Sequence, residues 1–470
     1  MKDAAAPADV AATWRDLLRP ALASRFGFLC LGIWLNAADA LVTVTLTPTI
    51  AAEIGGFQHF GWSIAAFLLG AIVAGVCSGR LSLEIGLRPA IAVAGVAYAA
   101  GCALSALAPD FLVFVAGRLV QGLGAGAIAA LCYVAINAMF PEGLWVRILS
   151  ALAGVWGAAT LLGPLIGGLF AQADWWRGAF WFFAAQGLIF VGATFLLVKR
   201  SPRSEGDATP RIPIPQLLIL ALGVALIASA GATRNIALDL GFAVCGVVCV
   251  WLLLRLDARA GGVLLPKSAG NLATAAGAGY FVIFAMEAAT IAFSVYGPAF
   301  VQVLHDATPL VAGYVITAVA AGWTVAAFAV SGVHNRDGFM IRLGATGVLA
   351  GLAFSAWAVP YGTLWMIVVA LGLAGVGFGM SWAFLSKRVI ASLSDAERPL
   401  GSSAVPTAQM IGGAVGAAAA SSVAAALGFA EGVDPETGRQ AGFWLFASFV
   451  PLAILGWVAA WRLGGMRVED

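Results

Sequence analysis

The chain has 470 residues, of which 61% are hydrophobic and only 10% are Asp, Glu, Lys or Arg. A typical soluble domain carries about 25% charged residues, so this composition excludes a soluble globular protein and indicates a membrane protein. The 58 glycines are typical of helices that pack closely in a lipid bilayer. The net charge of +2 comes without a basic patch, and we expect no nucleic acid as a partner.

A helix that crosses a membrane needs about 20 mostly apolar residues, and fourteen segments of this chain meet that requirement. They lie near 25–50, 58–79, 89–107, 111–140, 147–171, 177–198, 213–231, 236–254, 273–303, 308–332, 341–359, 362–386, 402–428 and 441–462. Only a short linker separates 213–231 from 236–254, and without this pair the chain would have twelve spans. The predicted fold class is an all-α membrane protein.

Two polar stretches, 199–212 and 255–271, divide the apolar segments into groups of six, two and six. We therefore predict five regions along the chain. They are an N-terminal tail at 1–24, a six-helix half at 25–198, a central loop with an extra two-helix hairpin at 199–271, a second six-helix half at 272–463 and a C-terminal tail at 464–470.

Lys and Arg residues indicate which side of the membrane each loop faces, because cytoplasmic loops carry an excess of them. With the N-terminus placed in the cytoplasm, all but four of the 25 Lys and Arg residues lie in cytoplasmic segments or at the cytoplasmic ends of the spans. The exceptions are Arg177, Arg234 and Arg439 in outer loops and Arg118 within a span. This asymmetry predicts that both tails are cytoplasmic and that the chain crosses the cell (inner) membrane many times.

The first span carries a polar stripe in the sequence NAADALVTVTLTP. Asn36, Asp39 and Thr43 stand at spacings of three and four and therefore share one face of a helix. Arg118 in the fourth span lies at a similar depth, with Gln121 one turn further on, and its long side chain could reach Asp39. Ionisable groups in a membrane core are costly and usually functional. The alternative is a buried polar group that serves helix packing.

The ninth span, EAATIAFSVYGP, repeats this stripe with Glu287, Thr290 and Ser294. Two related halves are typical of transporters with a binding site at the membrane midplane. Tyr280 shares a face with Glu287, and Phe284 is also deep enough to line a cavity for a lipophilic or cationic ligand. Glu287 would bind a cationic substrate or act as a second proton site. Packing against other helices or lipid is the alternative for the aromatic residues.

Three motifs in the first half carry a family resemblance. They are GRLSLEIGLRP at 79–89, GRLVQGLGAG at 117–126 and GVWGAATLLGPLIGG at 154–168. Together they resemble the signature loop, the fourth-helix motif and the fifth-helix antiporter motif of the major facilitator superfamily. The first span is similar to the LDxTIVNVALP pattern of drug:proton antiporters. The fourteen spans and WWRGAFWFF at 175–183 resemble the fourteen-helix branch of those antiporters.

The resemblance implies the major facilitator fold and a transport cycle of alternating access. It also implies proton coupling, for which we select Asp39, Arg118 and Glu287. An apolar site resists ionisation of a carboxylate while a guanidinium favours it, so a carboxylate between them can load and release a proton. The candidate substrate-binding residues are Asn36, Thr43, Gln121, Tyr280, Phe284, Glu287 and Thr290.

The resemblance assigns a mechanical role to the fifth span and to the signature loop. We expect the small residues of the fifth span to let it bend and approach a neighbour closely; these are Gly157, Gly163, Pro164, Gly167 and Gly168. The loop keeps Gly79, Gly86 and Arg88. It departs from the family pattern at Leu83 and Glu84, which stand where an Asp and an Arg are usual. We expect Glu84 to pair with Arg88 or Arg147 instead.

The predicted function is proton-coupled efflux of small organic or lipophilic compounds, in a protein expected to work as a monomer. A symporter or an uncoupled facilitator for a metabolite is the alternative within the transporters. A membrane-embedded enzyme is a further alternative, but no nucleophile–base cluster is visible at a membrane surface. No GxxxxGK loop occurs, which argues against ATP as the energy source. We therefore expect no enzyme activity, no cofactor and no metal site.

Overall fold

The computed structural model describes residues 13–55, 61–199, 214–229, 236–307, 309–428 and 435–466. All regular secondary structure in these residues is helical. The α-helices are α1 Trp14–Leu17, α2 Pro20–Ile54, α3 Gly61–Ile85, α4 Leu87–Ala106, α5 Phe111–Met139, α6 Trp145–Gln172, α7 Trp176–Leu197, α8 Ile214–Ser229, α9 Ile236–Arg259, α10 Ala275–His305, α11 Pro309–Val330, α12 Asp337–Tyr361, α13 Leu364–Ala391, α14 Arg398–Ala426, α15 Pro435–Ala447 and α16 Val450–Gly465. A short 3₁₀ helix, Glu142–Leu144, precedes α6.

The described residues contain twelve segments that are long and apolar enough to cross a membrane. They fall on α2 to α7, on α9 to α13, and on α15 and α16 taken together. Helices also occupy the other two predicted positions. α14 is not among the twelve, and α8 has 16 described residues, about 24 Å at 1.5 Å per residue, against a core of about 30 Å. The crossing by fourteen spans therefore stays a prediction.

The packing of α2–α7 recurs in α10–α16. In the first group, α5 packs extensively on α3 and α4, and α2 packs on α6. In the second, α13 packs extensively on α11 and α12, and α10 packs on α14. The contact of α4 with α7 is matched by that of α12 with α16. We call α2–α7 the N-half and α10–α16 the C-half. Each helix of the repeat found in the sequence has a counterpart at the same place in the other half.

The two halves meet through α6 and α14, which are counterparts. α14 packs on α3 and α5, and α6 packs on α11 and α13. The closest approaches occur where one partner is glycine. A Cβ on Gly79 of α3 would lie 2.7 Å from the carbonyl oxygen of Pro399, and one on Gly154 of α6 would lie 2.7 Å from the ring of Phe328. Both contacts lie toward the membrane side that carries the α3–α4 and α11–α12 loops.

The helix pair α8–α9 packs against both halves, since α8 contacts α3 and α14, and α9 contacts α14. Its apolar seam with α3 is formed by Ile72, Val76, Leu220, Val224, Leu253 and Leu264. Asp257 near the end of α9 is buried and accepts hydrogen bonds from the backbone N–H groups of Val263, Leu264 and Leu265. These bonds fold the following segment back onto the pair, because a buried carboxylate needs donors.

Candidate functional site

The polar stripe of α2 is buried inside the N-half and contacts α5 directly. Arg118 Nη1 lies 3.1 Å from Asp39 Oδ2 and donates to Gln121 Oε1 at 2.8 Å. Gln121 Nε2 in turn donates to Asp39 Oδ1 at 2.9 Å. The hydroxyl of Thr43 lies 3.5 Å from the same oxygen. The contact of Asp39 with Arg118 that their depths predicted is therefore present, within a network that also includes Gln121.

This network, the Asp39 cluster, is closed to solvent. The exposed fraction is 0% for Asp39, 2% for Arg118 and 0% for Gln121. The guanidinium carbon lies 4.3 Å from the centre of the Phe67 ring on α3, a cation–π contact. Gln121 Nε2 also contacts Cys102 Sγ of α4 at 3.1 Å. The sequence did not predict Phe67 and Cys102 as part of the site, because both are apolar residues of a kind common in membrane helices.

Glycines of the GRLVQGLGAG motif bring α3 and α4 against α5 at this depth. A Cβ on Gly122 would collide with the carbonyl oxygen of Phe67, and one on Gly124 would collide with the backbone of Tyr98. The phenol of Tyr98 then donates to the carbonyl oxygen of Leu35 at 3.1 Å. The motif thus sets how closely the helices around the Asp39 cluster approach.

A cavity of about 70 Å³ lies inside the C-half. Its lining comes from four helices: Glu287, Thr290, Ile291, Phe293 and Ser294 of α10, Val319 and Trp323 of α11, Leu352 and Ser355 of α12, and Leu371, Ala374 and Phe378 of α13. The whole stripe that the sequence indicated on the ninth span therefore lines one cavity. We call it the Glu287 cavity.

The polar groups of the Glu287 cavity are incompletely paired. Glu287 is half-buried and accepts one hydrogen bond, from Gln409 Nε2 at 3.1 Å. No Lys, Arg or His of the described residues forms an ion pair with it. The buried Oγ of Ser355 and Nε1 of Trp323 also have no hydrogen-bond partner in the described part of the chain. Buried polar groups are normally paired, so these groups indicate a binding site.

The other predicted substrate residues lie in different surroundings. Asn36 is buried on α2, and the hydroxyl of Thr290 donates to the backbone of its own helix at 2.9 Å while its side chain lines the cavity. Tyr280 donates to the carbonyl oxygen of Gly401 at 2.9 Å, and the ring of Phe284 stacks on that of Phe281. Neither Tyr280 nor Phe284 lines the Glu287 cavity, and their role in binding stays a prediction.

The antiporter motif on α6 mediates close packing on both of its sides. A Cβ on Gly157 would collide with the hydroxyl of Thr324 in the C-half, and one on Gly163 would lie 2.7 Å from Leu41 on α2. Gly167 likewise faces Thr45 on α2, at 2.8 Å. A Cβ on Gly168 would meet nothing within 4 Å. α6 runs unbroken through Pro164.

The signature loop differs from its prediction in one contact. Glu84 Oε1 pairs with Arg80 Nε at 3.0 Å, within α3, and not with Arg88 or Arg147 as expected. The reason is geometric: residues four apart on a helix are neighbours, whereas Arg88 belongs to α4, where its guanidinium lies over the Phe195 ring. Between α3 and α4, Gly86 has φ of 88°, a conformation that favours glycine.

Other charged residues join the halves on this side of the membrane. Lys387 at the end of α13 lies 3.2 Å from Asp337 and 3.9 Å from Glu142, which follows α5. Arg147 Nη1 lies 3.5 Å from His334 Nε2. These contacts connect the α5–α6 loop of the N-half with α13 of the C-half, and α6 of the N-half with the α11–α12 loop of the C-half. Such pairs must separate if the halves move apart here.

The chain with these two halves, one carrying a buried ion pair and the other a polar cavity, matches a known family. A family model described as Major Facilitator Superfamily matches residues 29–417. The chain belongs to the Major Facilitator Superfamily. Members of this superfamily move small molecules across membranes, so the protein is a multi-pass membrane transporter and not an enzyme.

Several known superfamily members are similar to this chain. A "probable multidrug-efflux transporter" of Mycobacterium tuberculosis is 29% identical over 464 residues, covering 96% of both chains. Among solved structures, the human organic anion transporter MFSD10 has a TM-score of 0.68 at 15% identity, covering 94% of this chain and 99% of that one. A proton:xylose symporter has a TM-score of 0.63 at 16% identity, covering 93% and 95%. These two likenesses show the fold alone.

Proposed function

We propose that this transporter exports small amphipathic organic compounds in exchange for protons. It resides in the cell (inner) membrane as a monomer with both termini in the cytoplasm. It crosses the membrane fourteen times, as two six-helix halves, 25–198 and 272–463, with an extra hairpin between them. The similarity to a multidrug-efflux transporter over nearly the whole chain supports export. The observation that carries proton coupling is the Asp39 cluster, an ion pair sealed from water.

The proton site is Asp39. Arg118 and Gln121 both contact its carboxylate, and hydrogen bonds to the charged form favour that form. A proton on Asp39 removes its charge and leaves Arg118 without its counterion. A buried unpaired charge is costly, so protonation favours a rearrangement of α2 against α5. Binding of a proton is thereby linked to the relative position of the helices.

The substrate site includes Glu287. Its carboxylate lies in a membrane core without a cation beside it, and burial of an unpaired charge is unfavourable. A cationic substrate or a proton would each relieve this, so the two compete for the same side chain. Such competition links export of one to uptake of the other. We assign the primary proton role to Asp39 because Glu287 is open to a cavity and Asp39 is not.

The test is transport by purified protein in proteoliposomes under an imposed pH gradient, with the lipophilic cation ethidium as the probe. Antiport predicts that ethidium moves against the direction of proton flow and that a vesicle-trapped pH dye reports the opposite proton movement. Asp39→Asn should abolish the gradient-driven component and retain exchange between equal pH compartments.

Two other outcomes would replace the proposal. Ethidium flux that ignores the gradient in the wild type would identify a facilitator, and flux in the same direction as protons would identify a symporter. Wild-type gradient dependence in Asp39→Asn would remove the proton role of Asp39.

A further inference from the structure

The two halves can be aligned residue by residue through their closest helix contacts. In the N-half, a Cβ on Gly122 of α5 would collide with the carbonyl oxygen of Phe67 on α3. In the C-half, a Cβ on Gly375 of α13 would collide with the carbonyl oxygen of Val319 on α11. Since α3 corresponds to α11 and α5 to α13, Gly122 corresponds to Gly375. Four positions before these glycines stand Arg118 and Leu371.

Contacts with the neighbouring helix give the same alignment. A Cβ on Gly101 of α4 would collide with the backbone of Gln121, and one on Gly351 of α12 would collide with the backbone of Ala374. Gln121 therefore corresponds to Ala374. Cys102 follows Gly101 on α4, and Leu352 follows Gly351 on α12. Cys102 therefore corresponds to Leu352.

The Glu287 cavity consequently occupies the place that the Asp39 cluster occupies in the N-half. Leu371, Ala374 and Leu352, the counterparts of Arg118, Gln121 and Cys102, all line it. The C-half keeps the helix packing but has a shorter apolar residue where the N-half has its guanidinium, and a methyl group where the N-half has its amide. Its carboxylate, Glu287, stands at the place of Asn36, about one helical turn from the place of Asp39. The space so left remains open beside Glu287.

We propose that the Glu287 cavity binds the cationic head group of the transported compound, a guanidinium or protonated amine that takes the place of the missing arginine side chain. This inference rests on the proposed function and deepens it, since it assigns the chemical class of substrate and its subsite. The volume fits this assignment: about 70 Å³ exceeds the roughly 10–15 Å³ for one water. It is below the roughly 300 Å³ of sites for drug-sized ligands.

The unpaired N–H of Trp323 and hydroxyl of Ser355 indicate which hydrogen-bonding groups the ligand should carry beside its cation. The indole N–H of Trp323 is a donor only, so the ligand must present an acceptor such as a carbonyl oxygen close to its cation. The hydroxyl of Ser355 can serve as donor or acceptor. The ring of Trp323 stacks on Phe378 at 4.8 Å, which provides an aromatic wall for the adjoining part of the compound.

The neighbouring aromatic contact connects this subsite to the N-half. The ring of Trp323 lies 5.5 Å from that of Trp382, whose Nε1 donates to the hydroxyl of Tyr133 on α5 at 3.3 Å. A ligand that moves Trp323 therefore acts on a chain of side chains that ends on the helix carrying Arg118. This arrangement links occupancy of the subsite with the packing between the halves.

The first test measures equilibrium binding to the full-length protein in lipid nanodiscs, with no pH gradient. The probes are N-benzyl-2-guanidinoacetamide and its neutral urea analogue N-benzyl-2-ureidoacetamide, which differ in charge and share the carbonyl and the aromatic ring. We expect the wild type to bind the guanidinium probe about tenfold or more tightly than the urea probe, since bonds to a charged group are the stronger ones. Glu287→Gln should remove this preference.

The matched control is Glu53→Gln, which removes one carboxylate outside the cavity and should keep the preference. Equal affinity of the wild type for both probes, or an unchanged preference in Glu287→Gln, would overturn the proposal. Trp323→Phe replaces the indole with a smaller aromatic ring that has no N–H, and we expect it to weaken both probes about equally, because both carry the carbonyl acceptor.

The second test fills the cavity from within. Leu371→Arg restores the arginine of the N-half at its equivalent position, so the tethered guanidinium should pair with Glu287 and reduce binding of the guanidinium probe at least about tenfold. Leu371→Met, of similar bulk and without charge, should bind as the wild type does. Full binding by a folded Leu371→Arg protein would contradict the alignment. If that variant does not fold, the Glu287→Gln comparison still decides.

Binding and transport separate the two proposals. A charge preference that depends on Glu287, together with flux that ignores the pH gradient, would sustain the subsite and refute proton antiport. Gradient-driven antiport without that preference would refute the subsite alone.

Discussion

Asp39 and Glu287 are carboxylates on corresponding helices of the two halves, yet their surroundings are opposite. Asp39 is fully buried, has Arg118 at 3.1 Å and receives a further bond from Gln121. Glu287 is half-buried, has no cation beside it in the described residues and faces a cavity. The two halves therefore share their helix packing but differ in where the carboxylate stands, since Glu287 occupies the place of Asn36, and in what surrounds it.

The comparison shows how one packing arrangement supports two roles. In the Asp39 cluster, Arg118 compensates the charge of the carboxylate. We therefore expect only a proton or a helix movement to alter this ion pair. In the Glu287 cavity no such cation lies beside the carboxylate in the described residues. Its charge must therefore be compensated by a ligand or a proton that enters the cavity. Because a charge in a membrane core needs compensation, the residue at the position of Arg118 and Leu371 distinguishes the proposed coupling site from the proposed binding site.

The largest expected effect comes from breaking the ion pair. Arg118→Gln leaves Asp39 buried without a cation, and we expect the free energy of unfolding to fall by about 3–5 kcal/mol, measured by denaturant or thermal unfolding in detergent micelles. The double variant Asp39→Asn with Arg118→Gln removes both charges and should recover most of that loss. Glu287→Gln leaves no cation without its partner in the described residues, so it should change the free energy of unfolding by less than about 1 kcal/mol. A double variant as unstable as Arg118→Gln would contradict this account.

The shared packing can be tested by adding one methyl group to each half. Gly122→Ala and Gly375→Ala both place a Cβ against backbone of a neighbouring helix, and we expect each to cost about 1–3 kcal/mol in unfolding free energy. Gly168→Ala is the control, because a Cβ there meets nothing within 4 Å; it should be neutral or slightly stabilising. Tolerance of alanine at only one of the two equivalent glycines would weaken the alignment of the halves.

A smaller effect is expected where the halves touch through Lys387. Lys387→Gln removes its ion pairs with Glu142 and Asp337, which we expect to contribute about 1 kcal/mol or less at this partly exposed site. The equilibrium between joined and separated halves at this contact should shift toward separation by up to about fivefold. The measurement is hydrogen exchange in the α5–α6 loop, which should become faster. Lys267→Gln, which removes a lysine without an ion pair in the described residues, is the control. Equal exchange in both variants would remove the role of Lys387.

The smallest effect concerns a carboxylate near solvent. Glu53 lies beyond the candidate span of α2, and hydrogen bonds from Trp176 and Arg177 lower its pKa. A lowered pKa in the folded state stabilises the protein above the usual pKa of Glu, and this contribution is lost as the pH falls below it. The free energy of unfolding of the wild type should exceed that of Glu53→Gln by at most about 1 kcal/mol near neutral pH. This difference should disappear at acid pH. A gap independent of pH would exclude this ion pair as its cause.

Hydropathy and spacing predicted much of the fold and part of the site. Each predicted span coincides with one or two helices in the described residues, because a bilayer requires long apolar segments. The stripes headed by Asp39 and Glu287 followed from the helical period, and depth alone paired Asp39 with Arg118. The predicted partner of Glu84 was wrong because Arg80, four residues earlier on the same helix, lies within reach of its carboxylate. Ser355 and Trp323 could not be placed together, since they lie on different helices with no polar pattern of their own.

The sequence by itself determined the membrane class, the position of the helices, the two related halves and the depth of the charged residues. These follow from local composition and from a period that one helix imposes on its own side chains. Only the tertiary structure decided that the place filled by Arg118 in one half is hollow beside Glu287 in the other. The equivalence of these two places follows from how the helices approach each other at Gly122 and Gly375, and the sequence of one helix does not contain the backbone positions of its neighbours.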